Sequence, residues 1–305
     1  MSPVVLDSIR HLVGFAPDMI KATGLTRFST SSRSCNRDGW VRVMPDGVVR
    51  FGCWRQGLSG WWRDGSSKLV APKRDGYAER VALAEEEERR AQVERSNAEV
   101  FKKASTLVGS STAAMYLRTR GLVALTRFPR ALRSASLSYF HDGANIGEYP
   151  TMVAAVTNVS GLMVALHRTY LDDSGNKAPV PQPKKLSRTS GMLTGASIKL
   201  DDPILINGKM TVGVAEGVET ALAYSLASGI PTWSCVSAGG VRSFEWPIGL
   251  QSLVVFGDND ANGVGQSAAS DLAARAASCD LEVRVLIPDD AGSDWLDVYC
   301  AGEPT

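Results

Sequence analysis

The stretch VVFGDNDANG, residues 254–263, places two aspartates, Asp258 and Asp260, directly after four apolar positions. In extended backbone, residues two apart project to the same side, so these two carboxylates can face one ion together. The alternative is an acidic turn between a strand and a helix. The choice between the two depends on where other acidic residues fall in the surrounding sequence.

Strand and helix patterns alternate in short succession after Ile204. The strand-like sequences are apolar and β-branched, and they predict a parallel sheet that helices cover on both faces. In such a sheet, functional groups gather at the carboxyl ends of the strands. Glu216 ends the strand TVGVAE, and Asp294 and Asp297 follow the strand EVRVLIP, so three strand ends carry acids.

Oxygen ligands of this kind favour Mg²⁺ or Mn²⁺ over Zn²⁺. Gly217 and Gly257, beside the acids, leave room for a phosphate or a water molecule to approach the backbone. The sequence therefore predicts a site for a divalent cation at the carboxyl edge of the sheet. For each acid, the alternative role is a helix N-cap or a solvated turn.

The 305 residues, 44% of them hydrophobic, suffice for two or three domains with sizeable cores. No apolar run reaches the length of a membrane span, and the first residues lack the pattern of a secretory signal. The five cysteines are scattered and suit reduced thiols better than a disulfide framework. We therefore expect a globular, cytoplasmic protein with no membrane partner.

Charge is distributed unevenly along a chain whose formal net charge is only +1. Counting Lys and Arg against Asp and Glu gives +5 for residues 1–107, +7 for residues 108–200 and −11 for residues 201–305. This distribution suits a protein that holds a polyanion on its basic part and metal cations on its acidic part. Ordinary solvation of the surface is the competing explanation.

These patterns predict a multidomain protein of mixed α+β and α/β class. Its segments are a small β module over residues 1–76, a connecting helix over 77–107, a basic mixed α+β segment over 108–203, and a parallel-sheet, Rossmann-like α/β domain over 204–305. Turns are expected at Pro45-Asp46-Gly47 in the β module and at residues 158–161 between two strands of the middle segment. The Gly-, Pro- and Lys-rich stretch after Leu171 is expected to be a loop.

The motifs AEGVETALA, FGDNDANGVG and GSDWLDVY, in this order, resemble the Toprim domain of bacterial-type primases, topoisomerases and some nucleases. The resemblance covers roughly residues 204–300. It implies that the aspartate pair binds metal, that the glutamate transfers a proton or helps to hold metal, and that a later acid completes the site. The residues so implied are Glu216, Asp258, Asp260 and Asp294, with Asp297 a weaker candidate. The implied chemistry is phosphoryl or nucleotidyl transfer with divalent ions.

Among Toprim proteins, the resemblance favours primases. The cleaving tyrosine and gate domains of a topoisomerase do not fit into 305 residues, and the phosphate loop of the ATPase that accompanies such nucleases is not in the sequence. YLRTRGL, the strand pair of the middle segment and PKKL resemble the region before Toprim in phage and plasmid primases. That region is implied to bind template and nucleotide phosphates through Arg118, Arg120, His167, Arg168, Lys177, Lys184 and Lys185. His167 lies among apolar residues, which is more typical of a structural histidine than of a catalytic base.

The amino-terminal module departs from the primase pattern, which begins with a zinc ribbon of four Cys or His ligands. FGCWRQG resembles the second pair of ligands, but Gln56 follows Cys53 where a second thiol is expected, and Cys35 is the one thiol near the first pair. Two thiols rarely hold structural zinc. We therefore expect a metal-free, ribbon-like module; zinc would require a ligand from elsewhere, such as His11.

The same module interleaves tryptophans with arginines. Arginines that contact phosphates, beside aromatic rings that stack on unpaired bases, are typical of binding to single-stranded nucleic acid. The binding candidates are Trp40, Trp54, Trp62, Arg55 and Arg63, with Arg37, Arg42 and Arg50 nearby. The alternative is that several tryptophans form the core of the small module, in which case Trp54 and Trp61 would be buried and Trp62 exposed.

Together these features predict a small DNA primase, a nucleotidyltransferase of phage or plasmid type. It would make short primers on a single-stranded DNA template from nucleoside triphosphates, with Mg²⁺ or Mn²⁺, by attack of a 3′-hydroxyl on an α-phosphate. The alternatives are a Toprim nuclease, which needs no nucleoside triphosphates, and a non-catalytic nucleic-acid-binding accessory protein of replication. A helicase is often fused to such primases but is not in the sequence, so either a separate helicase is recruited or the activity does not need one.

Overall fold

The chain forms two compact units, residues 1–85 and residues 86–305, whose division falls within a long helix. The computed structural model describes residues 3–30, 37–54, 58–63 and 76–302. Within these ranges, none of the helices is both long and apolar enough to cross a membrane. The multidomain α+β and α/β class that the sequence predicts is confirmed.

The first unit is a four-stranded antiparallel sheet with a helix against one face. Its elements are α1 (Pro3–Val13), β1 (Leu25–Phe28), β2 (Gly39–Val43), β3 (Val49–Cys53) and β4 (Leu58–Trp62). The strands pair in the order of the sequence. The predicted turn between β2 and β3 is confirmed, because the N–H of Gly47 donates to the carbonyl of Met44 at 3.0 Å.

Helix α1 was not predicted from the sequence. It is amphipathic, since Val5, Ile9 and Val13 recur at intervals of four residues and therefore lie on one face. All three are buried against apolar residues of the sheet, among them Val41 and Phe51. This helix supplies the apolar cover that so small a sheet needs for a core.

The second unit contains two five-stranded sheets. Its first part comprises α2 (Gly76–Lys103), β5 (Ser105–Thr106), α3 (Thr112–Thr119), β6 (Leu132–His141), β7 (Ala144–Thr157), β8 (Met163–Tyr170) and β9 (Lys184–Leu186). The strands β5 to β9 form one antiparallel sheet in the order of the sequence. The predicted connecting helix and the predicted turn between β7 and β8 are confirmed, the turn by a hydrogen bond from Gly161 to Asn158.

The loop predicted after Leu171 is wrong at one point, because it contains the strand β9. Lys184 lies opposite Thr169 of β8, and Lys185 opposite Arg168. The strand has only three residues, which is too short to produce a recognisable alternation of apolar and polar positions. It matters for function because it fixes the two lysines on an ordered strand.

The second part of this unit alternates strands and helices, as predicted. It comprises β10 (Ile204–Ile206), β11 (Lys209–Ala215), α4 (Val218–Ser228), β12 (Thr232–Ser234), α5 (Ala238–Ser243), β13 (Ser252–Phe256), α6 (Val264–Ala277), β14 (Glu282–Leu286) and α7 (Trp295–Ala301). β11 pairs in parallel with β12 and β13, and β13 with β14. Only β10 is antiparallel to its neighbour among the described strands of this sheet.

Strand alternation gives this mixed sheet two buried faces. Val212 and Val214 of β11 face a cluster that includes residues of α5 and α6, such as Val241 and Leu272. Ala215, on the opposite face, belongs to a larger cluster. That larger cluster also contains residues of α3, β7, α4 and α7: Tyr116, Leu117, Met152, Ala154, Val218, Leu222 and Leu296. The antiparallel sheet and the parallel sheet therefore share one hydrophobic core.

Candidate active site

The parallel strands β11, β13 and β14 end level with one another. Their last residues, Ala215, Phe256 and Leu286, lie in one row of the sheet. Glu216 follows the first of these directly, and Asp258 lies two residues beyond the second. The acidic residues predicted at the strand ends therefore share the carboxyl edge of the sheet, where ligand sites of open parallel sheets form.

Backbone hydrogen bonds hold the two aspartate-bearing loops together. Asn259, which lies between Asp258 and Asp260, donates its N–H to the carbonyl of Ser293 at 3.1 Å, and its own carbonyl accepts from Gly292 at 2.6 Å. The side-chain amide of Asn259 also donates to the carbonyl of Pro288 at 2.8 Å. Ser293 immediately precedes Asp294, so these bonds bring Asp294 beside the aspartate pair.

Asp258 is the centre of the acidic cluster. Burial, followed by the negative charges of Asp294, Glu216, Asp260 and Asp297 in that order, raises its pKa to about 7. Its Oδ1 atom is buried and accepts no hydrogen bond from the part of the chain that the structure describes. A half-buried carboxylate with an orphaned oxygen is favourable only if a cation compensates its charge.

Asp260 is held by the start of helix α6. Its Oδ2 atom accepts a hydrogen bond from the N–H of Gly265 at 3.2 Å. A Cβ atom on Gly265 would lie 2.7 Å from the carbonyl oxygen of Asp258, so a glycine is required for α6 to approach the aspartate loop this closely. The helix thereby fixes one oxygen of Asp260 and leaves the other for a ligand.

Asp294 has the N-cap role that the sequence left open beside metal binding. It is the N-cap of α7, where its Oδ1 accepts from the N–H groups of Leu296 and Asp297 at 2.7 and 3.0 Å. Asp297 completes a capping box through its Oδ2, which accepts from the N–H of Asp294 at 3.1 Å. Among the described residues nothing donates to Oδ2 of Asp294, so this oxygen can face the cluster while Oδ1 caps the helix.

Glu216 lies opposite a lysine. Burial and the charge of Asp260 raise its pKa, whereas the charge of Lys184 and a hydrogen bond from the backbone of Ala238 lower it. Its own carbonyl accepts from Val236 and from the hydroxyl of Ser234 at 2.9 and 2.8 Å. The backbone of Glu216 is therefore fixed by the end of β12 and the residue Val236 beyond it, and its carboxylate is subject to the charges of both Asp260 and Lys184.

The donor chemistry of this cluster fits a divalent cation. All its side chains offer carboxylate oxygens, the ligands that Mg²⁺ and Mn²⁺ prefer, and Asp258 has an oxygen without a partner in the described ranges. In the same ranges, no three Asp, Glu, His or Cys side chains already stand at the spacing of a metal site. An ion would thus have to draw these carboxylates together by rotation of their side chains.

All three of the predicted phosphate-binding lysines lie together. Lys177, Lys184 and Lys185 line one groove of about 710 Å³. Burial lowers the pKa of Lys177, and the charges of Lys184 and Arg120 lower it further, which places Arg120 near the same groove. Lys185 also donates to the carbonyl of Phe140 at 2.6 Å. The groove and the acidic edge meet at Lys184.

The other two predicted arginines have different surroundings. Arg118 donates to the carbonyl of Gly109. Arg168 lies on β8, and its buried Nε atom has no partner among the described residues. His167, on the same strand, is buried, and burial, followed by the charge of Lys184, lowers its pKa to about 4, so it is neutral at pH 7. This agrees with a structural histidine.

Sequence reasoning missed two buried residues beside the site, Tyr116 and Glu219. Glu219 is buried in the first turn of α4, and both of its oxygens accept hydrogen bonds, one from Tyr116 and one from Lys184. A signal for it existed: an acid within the otherwise apolar helix VETALAYSLA contradicts the pattern of a buried helix. The partners could not be found from sequence, because both lie in the antiparallel part of the unit.

The outer face of the sheet in the first unit is basic and aromatic. Cross-strand register places Arg42, Arg50 and Trp61 in one row, and Arg27 opposite Trp40. A cavity of about 590 Å³ lies on this face, and it is lined by Trp40, Val48, Arg50, Ser59, Gly60, Trp61 and Arg63. Four residues singled out from the sequence, Trp40, Arg50, Trp61 and Arg63, thus share one surface.

The expected burial of the tryptophans needs correction. Trp54 is 52% exposed; it lies 5.9 Å from Trp40, ring centroid to ring centroid, and the guanidinium of Arg27 lies 4.5 Å from the centre of its ring. Trp62, expected to be exposed, is partly buried and packs against the core under α1. Successive residues of a strand point to opposite faces, so Trp62 points to the inner face and Trp61 to the outer one. Arg55 and Cys35 lie outside the described residues, whereas Cys53 is buried in the module core, so the metal-free ribbon stays a prediction.

Two segments of this chain match models of known protein families. Residues 211–303 match the model described as Toprim domain, and residues 79–198 match a domain of unknown function, DUF7146. Comparison with curated proteins gives no match.

Several solved structures are similar in fold. A DNA primase domain from Pseudomonas aeruginosa is 14% identical, with 68% of this chain and 74% of that chain covered and a TM-score of 0.45. The primase fragment of the bacteriophage T7 primase-helicase protein is 15% identical, with 91% and 95% covered and a TM-score of 0.38. The zinc-binding and RNA polymerase domains of Aquifex aeolicus primase are 12% identical, with 91% and 77% covered and a TM-score of 0.42.

The family match includes every acid-bearing loop at the carboxyl edge of the parallel sheet, from Glu216 to Asp297. It therefore agrees with the assignment that the three sequence motifs imply. Residues 211–303 of this chain are a Toprim domain.

Proposed function

We propose that this protein is a DNA primase, a nucleotidyltransferase that makes short primers on single-stranded DNA from nucleoside triphosphates. The observation that supports this most directly is the meeting of two oppositely charged surfaces at Lys184. The acidic edge of the Toprim domain suits divalent cations, and the lysine groove beside it suits the phosphates of a nucleotide. Neither surface alone would suggest polymerisation.

In this proposal, Asp258, Asp260, Asp294 and Glu216 would hold Mg²⁺ or Mn²⁺. The ion supplies positive charge where the α-phosphate and the leaving oxygen become more negative. Lys177, Lys184 and Lys185, which line the groove, would bind and orient the triphosphate, with Arg120 nearby. The lysines attract the phosphates from one side, and the ion held by the carboxylates attracts them from the other. Together they would keep the nucleotide in one orientation.

The bond changes follow from that orientation. The oxygen of a 3′-hydroxyl forms a bond to the α-phosphorus, the bond from that phosphorus to the β-phosphate oxygen breaks, and pyrophosphate leaves. The proton of the hydroxyl goes to a carboxylate oxygen of Glu216, the residue for which the Toprim resemblance implies proton transfer.

The sheet of the first unit would bind the template strand. Its outer face combines Trp40 and Trp61, whose rings can stack on bases, with arginines that can contact phosphates. This binding needs no metal, which accords with a ribbon-like module that has lost its zinc ligands.

Primer synthesis on circular single-stranded DNA tests the proposal, with labelled nucleoside triphosphates and Mg²⁺ or Mn²⁺. The wild type should make short products, and the double variant Asp258→Asn/Asp260→Asn should make none. The matched control is Asp271→Asn, which removes a carboxylate of the same domain that pairs with Arg242 on the surface; it should leave synthesis unchanged.

Two other results would replace the proposal with an alternative. Metal-dependent cutting of the circle without nucleoside triphosphates would identify a Toprim nuclease. DNA binding by the wild type and the double variant, with neither synthesis nor cutting, would favour a non-catalytic accessory protein of replication.

A further inference from the structure

A trio of side chains, Tyr116, Glu219 and Lys184, joins the antiparallel part of the unit to the Toprim domain. The carboxylate of Glu219 accepts from the hydroxyl of Tyr116 through Oε1 and from the ammonium of Lys184 through Oε2, the latter at 2.9 Å. Only 5% of the Glu219 side chain is exposed, whereas 37% of the Lys184 side chain is. Lys184 thus reaches solvent while its partner is inside the protein.

The contacts of Lys184 and Tyr116 with Glu219 are strong enough to keep the buried carboxylate charged. Burial alone would raise the pKa of Glu219, but the charge of Lys184 and the hydrogen bonds from Tyr116 and Lys184 outweigh it and hold the pKa at about 2. Glu219 is therefore ionised at any pH at which the protein is used. A buried carboxylate that keeps its charge needs a permanent cationic partner.

The trio lies next to the candidate active site but is not part of the acidic cluster. Glu219 is in the first turn of α4, and Glu216 is the last residue before the helix N-cap at Gly217. The charge of Lys184 acts on both glutamates. The ammonium forms its hydrogen bond and ion pair with Glu219, whereas it acts on Glu216 through its charge alone.

We propose that Glu219 is a positioning residue that holds Lys184 on the groove side of the site and so keeps the ammonium from pairing with Glu216. An ammonium has three N–H donors, and Glu219 occupies one of them, which leaves two for phosphate oxygens in the groove. That Lys184 binds phosphate rests on the proposed function, whereas the contact by which Glu219 holds Lys184 does not. Tyr116 secures the other oxygen of Glu219 and fixes the direction of the carboxylate.

The consequence concerns metal binding. Without the Glu219 charge, Glu216 is the remaining carboxylate on which Lys184 acts, and an ion pair between them would occupy a metal ligand. Glu219→Gln should therefore weaken the binding of Mn²⁺ by about ten-fold. The double variant Glu219→Gln/Lys184→Met should recover the affinity of Lys184→Met alone, because no ammonium is left to compete.

The first readout is the chemical reactivity of Lys184, measured in the full-length protein without nucleotide or DNA. An amine-reactive reagent modifies only uncharged, accessible amines, and mass spectrometry reports the modification of each lysine. In a Glu216→Gln background, where Glu216 cannot take up the ammonium, the further change Glu219→Gln should speed the modification of Lys184 several-fold. The control Tyr116→Phe, which removes a hydrogen bond but keeps the ion pair, should leave it close to the wild-type rate.

The second readout is Mn²⁺ binding, measured by calorimetry on the wild type, the three Glu219 and Lys184 variants above, and Glu219→Asp. If Glu219→Gln does not fold, Glu219→Asp keeps the charge but shortens the reach, and in the same Glu216→Gln background it should show faster modification of Lys184. A folded Glu219 variant whose modification rate in that background is unchanged overturns the proposal. So does a double variant that binds Mn²⁺ as weakly as Glu219→Gln, because Glu219 would then act on the metal directly.

These readouts separate this inference from the proposed function. Neither the modification of Lys184 nor Mn²⁺ binding depends on primer synthesis. If the protein makes no primers but shows both effects, the positioning role of Glu219 is supported and only the proposed primase activity is contradicted.

Discussion

The N–H of Asn259 donates to the carbonyl of Ser293 across 3.1 Å and thereby joins the two loops that carry the acidic residues of the Toprim domain. Asp258 and Asp294 belong to different strand ends, and this bond makes them neighbours. Their mutual repulsion is the first of the charge effects, after burial, that raise the pKa of Asp258. The fold therefore holds together like charges that would separate in a flexible chain.

The first prediction concerns this repulsion. Asp258 has a folded pKa of about 7, above its unfolded value of 3.8, so its contribution to stability is complete below about pH 4 and is lost as the pH rises through 7. Allowing for its partial exposure, Asp258→Asn should raise the free energy of unfolding of the metal-free protein at pH 8 by about 1 kcal/mol, or about 2–4 °C in Tm. Thermal unfolding at pH 5.5 and 8 checks this.

Mn²⁺ should stabilise the wild type at pH 8 and should not stabilise Asp258→Asn to the same extent. Asp271→Asn, on the same domain, is the control for both measurements. An Asp258→Asn variant that is less stable than the wild type at pH 8 would show that the cluster is not under electrostatic strain.

The second prediction concerns His167, which has the opposite dependence on pH. Its folded pKa of about 4 lies below its unfolded value of 6.5, so the stability that it contributes is complete above pH 6.5 and is lost as the pH falls towards 4. When the pH falls from 7.5 to 5, the free energy of unfolding should decrease by about 2 kcal/mol more in the wild type than in His167→Gln. Urea unfolding of both proteins at the two pH values measures the difference, and equal losses would contradict a buried neutral histidine.

The third prediction concerns the close approach of α6 to the aspartate loop. Gly265→Ala would place a Cβ atom 2.7 Å from the carbonyl oxygen of Asp258, so the loop must move. A displacement of catalytic groups by a fraction of an ångström should lower primer synthesis by about ten- to hundred-fold. Gly239→Ala is the control, since its Cβ would come no nearer than 3.8 Å to the nearest neighbouring atom. Equal activity of the two variants would show that the loop position is not critical.

The fourth prediction separates the two faces of the small sheet. Trp40→Ala and Trp61→Ala should each weaken binding to single-stranded DNA by about 1–3 kcal/mol, because both rings line the outer face. Trp62→Ala should instead lower the thermal stability of the first unit, because this ring packs against the core under α1. Fluorescence anisotropy with a labelled oligonucleotide and a melting curve for each variant distinguish the effects. A Trp62 variant that loses only DNA binding would reverse the assignment of the faces.

The acidic edge was predictable because its signal is local. Each acid follows a strand whose apolar pattern is complete within a few residues, and parallel strands end at the same edge, so the positions of Glu216, Asp258 and Asp294 in space follow from their positions in the sequence. The capping box of Asp294 and Asp297 is local as well, which is why the N-cap alternative was visible beside the metal-binding one.

The trio of Tyr116, Glu219 and Lys184 was not predictable because its members are far apart in the sequence. Tyr116 is 103 residues and Lys184 is 35 residues from Glu219. No periodicity or spacing links them, and Lys184 itself lies in a stretch whose glycines and prolines indicate a loop. Similarly, alternation fixes opposite faces for Trp61 and Trp62, but only the packing of α1 decides which face is the inner one.

The hydrophobic cluster that contains residues of α3, β7, α4 and α7 has a consequence for how such proteins are assembled in evolution. A gene crossover between β9 and β10 would replace one of the two parts that form this shared hydrophobic core. The remaining part would then pack against residues to which it is not complementary. Recombination at that point should yield insoluble products, so the antiparallel sheet and its Toprim partner are expected to be inherited as a single cassette. The small tryptophan-bearing unit has its own interior and is free to be replaced.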